Sequence, residues 1–154
     1  MLTRLMRDEI ATLSELNEFL RQEYVALRTR DLPKLQQLST DKKVCTERLQ
    51  TLFDEQTDYL RRQAGSTGVS ALRSCIASAL PSERTQLEAL WADLEENLVQ
   101  VQRQNGINGA IIAAGRSHVE RALTILRGRD PRECLYSQSA QMTFSGSQRP
   151  LARA

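Results

Sequence analysis

Between Pro81 and Arg127 the chain carries one stripe at helical spacing whose phase never resets, and this stripe limits most severely what the molecule can fold into. Leu87, Leu90, Leu94, Leu98, Val101, Asn105, Asn108, Ile112, Gly115, Val119, Ala122 and Leu126 follow one another at steps of three or four. The mean step is about 3.5 residues, the period of a helix packed against other helices. The stripe is apolar at both ends and small and polar in its middle, a form suited to receiving another helix. That directs attention to binding rather than chemistry. A helix over 81–127 would extend roughly 70 Å at 1.5 Å per residue, whereas a compact domain of this chain length is about 35–40 Å across. It must overhang, bend, or find a partner for its ridge.

The rest of the chain is also helical in pattern. A first helix is expected over about 2–28, with Leu2, Met6, Ile10, Leu13, Leu16, Leu20, Tyr24 and Leu27 on its apolar face. Asp8, Glu9, Glu15, Glu18, Arg21 and Arg28 are assigned to the other, solvated faces. Asp31-Leu32-Pro33 is a break with a mechanism. Asp caps a following helix by accepting backbone N–H bonds, and Pro is tolerated in a first turn, where its missing donor costs nothing. A second helix follows over about 32–63, with Leu35, Leu38, Cys45, Leu49, Leu52 and Leu60 on its stripe. Lys42 and Gln56 occupy two of its apolar places. The short connection makes helices one and two an antiparallel hairpin or a bent pair. Ala64 to Gly68 is a linker, and a short helix is expected over about 70–79. Pro81 opens the long helix behind Leu80 or Ser82 as N-cap, and Gly128 and Pro131 end it.

The fold class is therefore all-α: an antiparallel helical bundle or extended helical hairpins with one very long C-terminal helix. Residues 1–136 are expected to form a single helical domain and 137–154 a disordered tail, since the tail is Ser, Gln, Gly, Arg and Ala with little apolar content. Aromatics at 5% argue against a β-sandwich or barrel.

The segment Gln104-Asn105-Gly106-Ile107-Asn108-Gly109-Ala110 contains two Asn-Gly pairs, which are turn signals. The unbroken phase of the stripe argues for a continuous helix instead, at a cost of about 1 kcal/mol for each interior Gly. Gly106, Gly109, Ala113 and Gly115 would then let another backbone approach closely, from within the chain or from a partner. Asn105 and Asn108 would need buried hydrogen-bond partners and would act as register pins.

Several functions are excluded by what is missing. Met1 to Arg127 holds 17 basic and 17 acidic residues, so the excess charge of +2 lies in the tail; a nucleic-acid binder would show a concentrated basic face. Cys45, Cys75 and Cys134 are widely spaced and His118 is the sole histidine, so no zinc ligand set exists and the thiols are expected to be reduced. No signal peptide is visible at the N-terminus. The longest uncharged run, Gln104 to Gly115, is too short and too polar to span a bilayer. A cytoplasmic protein is expected, without cofactor or metal. Catalytic constellations are absent too. Ser117 and His118 are neighbours on one helix and point about 100° apart, Glu95-Glu96 and Asp54-Glu55 belong on solvated faces, and no phosphate-binding glycine motif occurs. Trp91, beside Leu90 and Leu94, reads as a packing residue, or as a binding anchor if exposed.

Leu20, Glu23, Leu27, Asp31, Leu35, Leu38, Lys42, Leu49 and Leu52 in the first half, with Asn105, Asn108-Gly109, Ile112, Leu123, Leu126-Arg127-Gly128 and Leu135-Tyr136 in the second, resemble the FlgN family of flagellar type III export chaperones. The resemblance implies a chaperone that holds the hook–filament junction proteins before secretion, with their C-terminal helices packed on its long helix. It places client binding at Asn105, Asn108, Ile112, Val119, Leu123 and Leu126. It places docking at the export gate or ATPase complex at Tyr136. The family follows its tyrosine closely with Gly, whereas Ser137-Gln138-Ser139-Ala140 follows here. An alternative from the residues alone is a self-associating helical scaffold, or a weak homo-oligomer, whose long helix pairs with its own copy.

Overall fold

The computed structural model describes residues 1–127, which contain four helices and no strand. They are α1 (Leu2–Thr29), α2 (Leu32–Ala64), α3 (Val69–Ala77) and α4 (Pro81–Leu126). By contact two units are distinguished, one spanning Met1–Ile111 and a second beginning at Ile112. The expectations for Gly128, Pro131, Cys134, Tyr136 and the tail 137–154 lie outside the described residues.

The breaks fall where local chemistry puts them. Arg30 adopts a left-handed conformation (φ 56°) and ends α1. The Asp31 carboxylate then accepts the Lys34 N–H at 3.0 Å, capping α2 with Pro33 in its first turn. α2 ends at Gly65, whose φ of 64° is a conformation that residues with a Cβ avoid. The Leu80 carbonyl accepts the first turn of α4, from Glu83 N at 2.9 Å and Arg84 N at 2.8 Å, so Leu80 rather than Ser82 stands at the N-cap.

Within the first unit, α1 and α2 are antiparallel. Glu23 pairs with Lys42 near the hairpin turn, and Glu9 with Gln56 far from it. α1 and α4 run parallel, because Ser14 bonds Asn97, Asn17 bonds Gln100, and Leu20 accepts from Asn108. α3 closes the end of the bundle where α1 starts and α2 stops. There Leu2, Met6, Leu60, Leu72, Ile76 and Leu87 form the larger apolar cluster. Leu13, Leu49 and Leu94 form a second one further along, with Trp91 packed against both.

α1 is enclosed on two sides, by α2 and by α4, so its buried face is wider than a single stripe. Leu5, Glu9, Thr12, Asn17 and Glu23 are buried as well as Leu2, Met6, Leu13 and Leu20. Placing Glu9 on a solvated face was therefore incorrect: it is fully buried, at 0% exposure. Burial pushes its carboxyl up to about 7, with the Gln56 hydrogen bond opposing the rise and the Asp8 charge adding to it. Gln56 Nε2 donates to one Glu9 oxygen at 2.9 Å, and the other oxygen has no partner.

α4 is a continuous helix through Asn105–Gly109, as the unbroken phase requires. Of the two close approaches that its glycines would allow, the one from within the chain is not found among the described residues. A Cβ added at Gly106, Gly109 or Gly115 would meet nothing within 4 Å among the described residues.

Candidate functional site

The two polar interruptions of the α2 stripe have acidic partners on α1. Lys42 and Gln56 are two heptads apart, and so are Glu23 and Glu9, so one antiparallel register serves both pairs. Glu23 is the more consequential of the two acids. Lys42 Nζ donates to its Oε1 at 2.5 Å, and Asn108 Nδ2 donates to its Oε2 at 2.8 Å. One carboxylate thus ties α1, α2 and α4 together. A buried charge is tolerated only when paired and hydrogen-bonded, and here it is both.

Asn108 is 1% exposed and its amide is fully used. Its second Nδ2 hydrogen goes to the Leu20 carbonyl at 2.8 Å, and its Oδ1 accepts from Gln104 Nε2 at 3.1 Å. The register-pin expectation holds for this residue. It fails for Asn105, which is exposed and has no buried partner, because it lies about 60° round the helix from Asn108. Glu23 stands out in the sequence only among the residues of the family resemblance, whereas Lys42 is also a polar interruption of the second helix's stripe. Their equal heptad spacing with Glu9 and Gln56 was the signal that could have paired them.

The long ridge divides at this clasp. Leu87 and Leu94 are buried, and Leu90, Leu98 and Val101 half-buried, against the chain's own helices. The first half of the ridge thus finds its partner within the chain. From Ile112 the same face is open: Ile112 is 52% exposed, Val119 57%, Leu123 43% and Leu126 82%. Ile112, Val119, Leu123 and Leu126 lie within about 60° of one line along the second unit's part of α4. Gly115 lies in that face with nothing near it. The flanks carry charge, including the Arg116–Glu120 pair at 2.8 Å. Of the expected client residues, then, Ile112, Val119, Leu123 and Leu126 share an open face of the second unit, while in the first unit Asn105 is exposed and Asn108 is spent inside the bundle. Tyr136 lies outside the described residues.

His118 is exposed. Cys45 is buried with its Sγ donating to the Thr12 carbonyl at 3.4 Å, and Cys45 and Cys75 are free thiols. Among the described residues no His, Cys, Asp or Glu group is arranged to hold a metal, and no helix is long and apolar enough to cross a membrane.

A helical bundle pinned by a buried polar clasp, with an open apolar helix face, defines a class of all-α helix-presenting proteins. The family model described as FlgN protein matches residues 1–143, and the chain belongs to the FlgN family, a family of flagellar export chaperones. No curated protein and no solved structure matches the chain.

Proposed function

We propose that this chain is a non-enzymatic cytoplasmic chaperone that binds the terminal helices of flagellar hook–filament junction proteins and delivers them to the type III export apparatus. The observation that carries this reading is the open apolar face of α4 at Ile112, Val119, Leu123 and Leu126, in a chain of the FlgN family. A client helix laid on that face would remove apolar surface on both sides from water, at roughly 25 cal/mol per Å². Covering the client in this way keeps it soluble and prevents self-association. In this reading Asn105 flanks the client, Asn108 acts indirectly by fixing α4 to α1, and Tyr136 serves docking at the export gate.

The test is binding of a junction-protein C-terminal helix to the full chain and to a Leu123→Asp, Leu126→Asp double variant. Low-micromolar or tighter binding by the parent, lost in the variant with its helical circular-dichroism signal intact, is the expected result. Normal binding by the double variant sinks the assignment of this face. The same face could pair with a second copy, and sedimentation separates the two readings: a stable dimer with no affinity for the client helix favours the scaffold.

A further inference from the structure

The charge of the chain is divided along its length. Met1–Ile111, the first unit, carries 14 basic residues against 16 acidic, whereas Ile112–Ala154 carries seven against three. The net charge of +2 thus combines a slightly acidic unit with a distinctly basic one, and the open apolar face belongs to the basic one. Among the described residues of that unit, Arg116, Arg121 and Arg127 stand against Glu120 alone.

The helical turn of 100° per residue places these charges round α4. Ile112, Val119 and Leu126 recur every seven residues and define the line of the open face. Arg116 lies about 60° and Arg127 about 80° from that line, both on the side of Leu123. Three turns of helix separate them, about 16 Å at 1.5 Å per residue, so they make one basic edge beside the apolar surface. His118 stands on the other flank. Arg121 is almost opposite the line, where it donates to the Ser117 carbonyl at 3.3 Å and adds only to the overall field.

Glu120 lies on the same edge and holds Arg116 at 2.8 Å, but the two side chains are 80% and 50% exposed, and an ion pair in water is weak. An incoming carboxylate can therefore displace it. Arg127 is in no ion pair among the described residues. Charges beside an apolar helix seam decide which partner helix is accepted. This edge repels a basic helix, and a nucleic acid would leave the apolar face uncovered.

We propose that the client helix is acidic: an amphipathic helix seated on Ile112, Val119 and Leu126 that carries Asp or Glu beside its apolar stripe, against Arg116 and Arg127. The inference rests on the client reading of this face and specifies the chemistry of its occupant.

Calorimetry of the full chain compares two synthetic helices that share one Leu stripe, flanked by Glu in one and by Lys in the other. The Glu-flanked helix should bind about tenfold more tightly, and added salt should shrink the difference. An Arg116→Gln, Arg127→Gln variant, its helical signal checked by circular dichroism, should bind the Glu-flanked helix about tenfold more weakly and the Lys-flanked one no worse. Glu120→Gln, which frees Arg116, should bind the Glu-flanked helix several-fold more tightly. Equal affinity for the two helices, or undiminished affinity in the glutamine double variant, overturns the proposal. If the junction-protein helix is nevertheless bound and is lost in Leu123→Asp, Leu126→Asp, the client reading survives that result; binding of no helix at all overturns both. Tighter binding of a single-stranded oligonucleotide, lost in the Arg116→Gln, Arg127→Gln variant, assigns the basic edge to phosphates and overturns the proposal. So does a salt-sensitive self-association that this variant abolishes, since the carboxylates would then come from a second copy.

Discussion

Asn108 of α4 donates to the Glu23 carboxylate of α1 across 2.8 Å, while the opposite oxygen of that carboxylate accepts from Lys42 of α2. Replacing Asn108 with Ala leaves an oxygen of the largely buried Glu23 carboxylate short of a donor. Urea unfolding of Asn108→Ala should show a loss of about 1–3 kcal/mol, the usual consequence of orphaning a buried polar group. An unchanged midpoint would mean that the clasp does not hold the bundle.

Glu9 makes the stability depend on pH in a definite direction. Its carboxyl is raised in the folded chain from 4.5 to about 7, so the folded state holds the proton more tightly than the unfolded one. The stability linked to that proton is complete below pH 4.5 and is lost as the pH rises through about 7. The full difference is on the order of 3 kcal/mol. Glu9→Gln, which carries no charge at any pH, should therefore gain stability over the parent at pH 8 and little at pH 4. A constant difference between the two proteins across that range would show that Glu9 does not titrate as its burial requires.

Gly109 and Gly115 weaken α4 without serving a contact among the described residues, since a methyl at either would meet nothing of them within 4 Å. Gly109→Ala and Gly115→Ala should each raise helix stability by about 1 kcal/mol, read by circular dichroism during chemical unfolding. If Gly115 gives a client backbone room to approach, Gly115→Ala should bind the junction helix several-fold more weakly, even as the chain becomes more stable. Undiminished binding would remove the glycine from the client surface.

Much of this fold is legible along the chain because its signals are local. The helix breaks at Asp31-Pro33 and Gly65 follow from capping and backbone geometry, which neighbouring residues settle among themselves. The continuity of α4 through two Asn-Gly pairs follows from a phase that a turn would have reset. The polar interruptions Lys42 and Gln56 were visible as well, but not their purpose. A stripe shows that a residue faces inward and not what it will find there.

The sequence by itself determined four helices, their ends, and the face each turns inward, because periodicity and caps act over a few residues. Tertiary structure decided which parts of those faces were already occupied. It enclosed α1 on two sides and so buried Glu9 and Glu23; it spent Asn108 on the bundle and left Asn105 in water. It also divided the α4 ridge, with Leu94 covered by the chain's own helices and Leu123 left open. Those outcomes depend on residues brought together from distant parts of the chain, and burial is a property of the neighbours as much as of the residue.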